Sequence, residues 1–404
     1  MASNRYPEER YLLDRKALAE HATLAVLKNA AAGPPELEPW LAGAVRKEPL
    51  TIHDINGTPL FHDFAVARGK ELFGHVRVAA SQVLGSAVVA TELGPRLWNY
   101  DEAVKKLTPK VKREFARSKL SAPKLVCYSY PKLGVMFEVD DGNATTQAIY
   151  DVSSLTRVPL KPERAGSEGF HAWSFYGALS DAERKKRLAR FKKVEAERGA
   201  IPDKIRREML TARSLLSVHD KLDAVLVYRR KVTKLLQYCT HYGHTHARSH
   251  HCFVLHGQQV NDYCAVATCQ MILCYYRHYH SQDDIAPSLG YAPGGCQADQ
   301  SPGYKSLTCN HLDASFDSSP TWEKGRDQID LLRPFKSGIS GHARAVAGYS
   351  YVRWIWALGL EEKKLYVYDP WPWNADYALG GAVTWEDWDA VTHTNYVYAH
   401  VDCP

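Results

Sequence analysis

The stretch Gln258-Gln259-Val260-Asn261-Asp262-Tyr263-Cys264-Ala265-Val266-Ala267-Thr268-Cys269-Gln270-Met271-Ile272-Leu273 decides how this chain is read. Asp262 can cap a helix that opens near Cys264. Ala265, Ala267, Met271, Ile272 and Tyr275 then give that helix a buried, apolar character. A thiol at a helix N-terminus sits at the positive end of the dipole, which favours the nucleophilic thiolate. A small cysteine packed into a core helix is the competing reading of the same residues.

Downstream, Gly341-His342-Ala343-Arg344-Ala345-Val346 places a histidine at the start of an apolar strand. Further on, Lys364-Leu365-Tyr366-Val367-Tyr368-Asp369-Pro370-Trp371 places an acid at the end of a strand, where Pro370 turns the chain. Taken singly, these are equally a surface histidine and a turn-capping aspartate. In this order, the three residues supply a nucleophile, a base and a group that holds the imidazole in one tautomer. Gln258, six residues before the cysteine, can donate its amide to an oxyanion, with Gln259 an adjacent competitor.

Three motifs carry a resemblance: Gln258-Gln259-x4-Cys264-x2-Ala267-x3-Met271-Ile272-Leu273, then Gly341-His342-Ala343-x2-Val346-x-Gly348-Tyr349, then Val367-x-Asp369-Pro370-Trp371. Over residues 255–402 the chain resembles a papain-like cysteine peptidase of the bacterial branch, which includes bacteriocin-leader-processing and plant-pathogen effector proteases. The resemblance implies an α+β fold in which an N-terminal helix carries Cys264 and an antiparallel sheet carries His342 and Asp369. It implies hydrolysis of a protein or peptide substrate by a Cys264–His342–Asp369 triad, with Gln258 as oxyanion donor and no cofactor. Many relatives have Trp or Gly after the cysteine, where this chain has Ala265. The stretch from Gly294 to Asp317, with Cys296 and Cys309, reads as a long polar insertion without an assigned role. The same Cys–His–Asp order serves transglutaminases, deamidases and other thiol acyl-transfer enzymes. A catalytically inactive binding module is the remaining alternative.

The 404 residues are 45% hydrophobic, 24% charged and 11% aromatic, an ordinary globular composition with room for two or three domains. The net charge of +6 hides an asymmetry: residues 181–234 carry 17 basic and 8 acidic side chains, whereas residues 253–404 carry 10 and 17. Residues 1–252 thus sum to +13 against −7 for the rest. A uniformly basic nucleic-acid binder is excluded, and no aromatic platform accompanies the basic run. Intramolecular contact between the basic front and the acidic back is one reading, and a solvated helix face the other. No stretch approaches the roughly 20 apolar residues of a membrane span. Without an apolar N-terminal signal, and with nine cysteines, the expectation is a reduced, cytoplasmic protein, signal-independent export being the alternative.

Four regions are expected. Residues 1–48 are an N-terminal helical segment, stopped at Gly33-Pro34-Pro35. Residues 49–165 read as strands, one basic helix and more strands: a separate α+β accessory domain or prodomain, with a turn at Asn56-Gly57. Residues 166–252 form a basic helical connector, with helices over 180–198 and 202–237, the first opened by Ser180 and Glu183. Residues 253–404 are the peptidase-like domain. At the junction, Cys239, His241, His244, His246, His250, His251 and Cys252 are residue types that zinc selects, so a structural zinc site competes with a plain linker. By the resemblance, residues 1–252 are either an inhibitory prodomain removed by autoprocessing within 238–257 or a permanent substrate-binding domain.

Overall fold

The computed structural model of the chain describes residues 7–164, 167–222, 225–236, 253–355 and 360–401. In the first half, runs of half-buried apolar residues form β1 (Ala44–Val45), β2 (Leu50–Asp54), β3 (Pro59–Arg68), β4 (Glu71–Ala79) and β5 (Val88–Leu93). After them come β6 (Lys119–Leu120), β7 (Lys124–Ser129), β8 (Lys132–Asp140) and β9 (Thr145–Asp151). Asn56-Gly57 turns the chain between β2 and β3, with Gly57 at φ +89°, a conformation open to a residue without Cβ. Asp14 caps α1 (Arg15–Ala32) and Asn99 caps α2 (Tyr100–Glu114).

The middle of the chain holds α3 (Phe175–Ala178), α4 (Asp181–Ala200), α5 (Asp203–Thr211), α6 (Leu216–Leu222) and β10 (Tyr228–Leu235). Ser180 and Glu183 close a reciprocal capping box on α4. The last part holds α7 (Cys264–Tyr275), α8 (Gln282–Ser288), α9 (Ser301–Leu307), β11 (Leu312–Asp317), α10 (Trp322–Asp330), β12 (Phe335–Ile339), β13 (His342–Trp354), β14 (Glu361–Asp369), β15 (Ala382–Asp387) and β16 (His393–Val401).

The continuous helix expected over 202–237 is not what forms. β12 pairs with β13 only at His342–Val346, leaving the same edge of β13 open further along. β10 fills that edge, opposite Gly348–Trp354. Satisfying the backbone of a long strand outranks the helical spacing of residues 228–235.

Among the described residues sixteen strands form one mixed sheet, in the order β11-β16-β12-β13-β14-β15-β5-β4-β3-β2-β7-β8-β6, with β1, β9 and β10 paired to β3, β8 and β13. Only β2 and β7 run parallel among these pairs. The chain is therefore mixed α+β, but the front α+β region is not separate from the back. β15 pairs with β5, placing Thr384, Trp385 and Glu386 opposite Glu92, Thr91 and Ala90. Pairing two edges removes two rows of unsatisfied backbone groups. The apolar cores cross the same seam. Ile339, Trp371 and Val391 pack into the core under α2. Val352, Trp354 and Trp385 pack with α1, β3 and β4. Most of the core around α7 comes from residues beyond Leu236.

Polar groups cross the seam as well. Arg344 pairs with Glu386 in the interior, and the Tyr130 hydroxyl donates to the same carboxylate at 2.9 Å. Lys28 pairs with Glu197 at 2.8 Å and with Glu362. Arg190 reaches Asp387 at 3.3 Å and Asp389 at 3.1 Å. No helix of the described residues is long and apolar enough to cross a membrane.

Removing one member of a buried ion pair strands the other charge. Arg344→Met is expected to lower stability in urea denaturation by about 3–5 kcal/mol. Arg344→Met combined with Glu386→Leu, which removes both charges, should recover most of that loss; an unchanged single variant would contradict the assignment.

Candidate active site

The helix opening at Cys264 is buried along almost its whole length, which fixes it rigidly under the sheet. The expected cap does not form. Tyr263 is the N-cap and makes no side-chain capping bond. Asp262 instead accepts from the Tyr291 hydroxyl at 3.1 and 3.2 Å and from the Gly294 N–H at 2.9 Å. The stretch read as a polar insertion is thus structural. Its Gly294-Gly295 turn is tied to the base of α7, and residues 312–317 form the edge strand β11.

His342 opens β13 directly after Gly341, which adopts φ +69°. Asp369 closes β14. The antiparallel register sets Ala345 opposite Tyr368, so both residues arrive at one end of the hairpin. His342 Nε2 lies 2.8 Å from Asp369 Oδ1. The same oxygen accepts the Trp371 N–H at 2.8 Å, so the turn at Pro370 holds the carboxylate in place. A carboxylate only accepts, so Nε2 carries the proton and Nδ1 keeps its lone pair. Nδ1 is buried without a hydrogen-bond partner. Burial pulls the imidazole down to about 4, in spite of the opposing pull of Asp369.

Cys264 is fully buried. Its sulfur lies against the backbone N–H of Ala343, the neighbour of His342, and donates to the Glu168 carbonyl at 3.8 Å. No hydrogen bond joins Cys264 to His342 among the described contacts. Burial pushes the thiol up, outweighing the nearby Lys132 cation. Burial thus favours the neutral forms of both the thiol and the imidazole, against the thiolate expected from the helix dipole. Gln258 also departs from expectation. Its Nε2 donates to Val260 O at 3.0 Å and Asn261 O at 2.6 Å, so both amide hydrogens brace the turn before α7 instead of facing an oxyanion. The Gln259 amide goes to Ala375 O at 3.2 Å.

Residues 167–173, from the front of the chain, cover this site. The Glu168 N–H donates to Cys296 O at 2.9 Å, forming an antiparallel bridge. Gly169 packs so closely that a Cβ there would collide with the Gly294 carbonyl oxygen. Buried Lys132 donates to Gly169 O at 2.6 Å and to Gly341 O at 3.1 Å, tying the cover to the residue before His342. Sequence reasoning missed Lys132 and Glu168. Both lie far upstream of the motifs and carry no local signal. Cys239, His241, His244, His246, His250, His251 and Cys252, the zinc candidates, lie outside the described residues. Among the described residues, no group of three or more His, Cys, Asp or Glu side chains is placed to hold a metal ion, and six cysteines are free thiols.

The folded state takes up a proton at His342 near pH 4, whereas the unfolded chain does so near 6.5. Between those values the unfolded state binds more protons, so this contribution is present above 6.5 and is lost as the pH falls toward 4. On acidification from pH 7 to pH 4, wild type should lose about 3 kcal/mol more than His342→Gln, measured by denaturation at each pH. Equal losses would contradict the neutral, buried ring. Compared with known proteins, the chain matches no family model, and no curated protein matches it.

Proposed function

We propose that this protein is a papain-like cysteine peptidase, with Cys264 as nucleophile, His342 as base and Asp369 as the group that orients the base. The observation that supports this most directly is the 2.8 Å Asp369–His342 bond, with Nδ1 left unpartnered at the strand start against which the Cys264 sulfur lies. Nδ1 takes the thiol proton. The sulfur then attacks the scissile carbonyl, forming a C–S bond and an oxyanion beside the uncapped first turn of α7. Collapse breaks the C–N bond, and the leaving amine takes the proton from His342. Water, deprotonated by the same ring, cleaves the thioester and restores the thiol.

In the form described, the site is closed by residues 167–173, which fits a zymogen-like chain. A cut within 238–257 would leave the front held by the β10–β13 and β5–β15 pairings. Activation on this reading is displacement of the cover, not loss of the whole front half. The committed amide of Gln258 favours a second reading, in which the site holds a peptide without cutting it.

Gly169→Ala separates the two. Its Cβ cannot fit against Gly294, so the cover should lift. Iodoacetamide labelling of Cys264 at pH 6 is expected to rise at least about tenfold, since solvation returns thiolate character. The opened chain should hydrolyse casein, and Cys264→Ala in the same background should not. Rapid labelling without hydrolysis would favour the binding reading; hydrolysis by the Cys264→Ala chain would exclude Cys264 as nucleophile.

A further inference from the structure

Glu168 does more than lie over the thiol. Its Oε1 accepts from Lys336 Nζ at 2.6 Å and Asn395 Nδ2 at 2.9 Å, and its Oε2 from Gln300 Nε2 at 2.9 Å. All three donors are buried, and Lys336 is 0% exposed. The remaining bonds of Lys336 go to Asn395 Oδ1 at 2.6 Å and Ala298 O at 3.2 Å, so the ammonium is held in place by the pocket itself. Gly338 makes the room: a Cβ there would collide with the Glu168 carboxylate and the Asn395 amide. The donors come from three elements, β12, β16 and the residue before α9, and none belongs to the cover.

The backbone of Glu168 is placed as a bound peptide would be. Its N–H is pinned to Cys296 O at 2.9 Å, and its carbonyl oxygen is the one that meets the Cys264 sulfur, at 3.8 Å. We infer that Lys336, Gln300 and Asn395 form a recognition pocket for an acidic side chain, and that peptides taken at the Cys264 site carry Glu where Glu168 now sits. This deepens the peptide-site reading and rests on it.

Vacating the pocket leaves a buried cation and two amide donors without a carboxylate, an arrangement that only a new anion satisfies. A Gln side chain of the same shape sets an NH2 against donors. A Leu side chain accepts from none of them, leaving the Lys336 cation with only the neutral oxygens of Asn395 and Ala298. A site built to hydrogen-bond a group discriminates strongly against analogues that lack it.

The test uses the full chain carrying Cys264→Ala and Glu168→Ala, which empties the pocket and prevents turnover. The probes are fluorescein-labelled peptides of sequence 164–173 with Glu, Gln or Leu at the position of Glu168. By anisotropy, the Glu peptide should bind on the order of 100-fold more tightly than the other two. Adding Lys336→Met should erase that difference. Should Glu168→Ala fail to fold, Glu168→Gln keeps the shape of the side chain and removes its charge. Equal affinity for the three peptides, or no binding of the Glu peptide, overturns the pocket. The same peptides are then offered to the Glu168→Ala chain with Cys264 intact. Glu-selective binding without cleavage overturns the peptidase reading and leaves the pocket standing. Cleavage without preference for Glu does the reverse.

Discussion

β13 is 13 residues long, and both of its edges are occupied. β14 runs along one edge. The other is shared, with β12 on the first part and β10 on the rest. Much of the molecule follows from this strand. Its first residue is His342, and its antiparallel register against β14 brings Asp369 to the same end. Its far edge pulls residues 228–235 out of a helical pattern and into the sheet. Through β14 and β15 it reaches β5, and so ties the strands up to Asp151 to the last part of the chain. A strand buried over most of its length tolerates a missing partner poorly, because each buried, unpaired N–H or C=O would cost roughly 1–3 kcal/mol.

That rigidity explains the electrostatics of the site. Cys264, His342 and Asp369 are buried, and desolvation outranks every local charge acting on the first two. Lys132 acts on both groups, disfavouring the imidazolium while favouring the thiolate, and Arg344 adds to the pull on the imidazole. Water admitted at the cover would move the two groups toward each other: the thiol falls, the imidazole rises, and proton transfer between them loses its penalty. On the proposed reading, the same residues are inert when covered and reactive when open, with no change in the hairpin that holds them.

The parts of this arrangement legible in the sequence are those fixed by local punctuation. Gly341 before His342 and Pro370 after Asp369 mark strand ends, and the strands end there. The apolar run after Cys264 marks a helix, and α7 forms. Asp262 was the natural cap by spacing, but a turn some thirty residues away competes for it. β10 is illegible for a similar reason, since only the vacant edge of β13 selects strand over helix. The β5–β15 seam joins residues almost 300 positions apart, and no periodicity within either half announces it. Gln258 shows the limit most clearly. Its spacing from Cys264 suggests an oxyanion donor, yet the turn that it closes uses both of its donors.

Charge was legible as a sum and not as a set of pairs. The basic front and acidic back do meet through Arg190 with Asp387 and Asp389, and through Lys28 with Glu362. At the site, however, the polarity is reversed. The acid, Glu168, comes from the basic half, and the base, Lys336, comes from the acidic half. Seen from the whole-chain charge, that pair runs against the field; seen locally, it is a buried, fully hydrogen-bonded carboxylate. Salt screens exposed charges over a Debye length of roughly 10 Å, and reaches buried pairs far less. Ionic strength therefore loosens the rim of the seam before it touches the cover. On the peptide-site reading, a ligand that takes the place of the cover competes for Lys336, and the competitor that fits is another carboxylate presented on an extended chain.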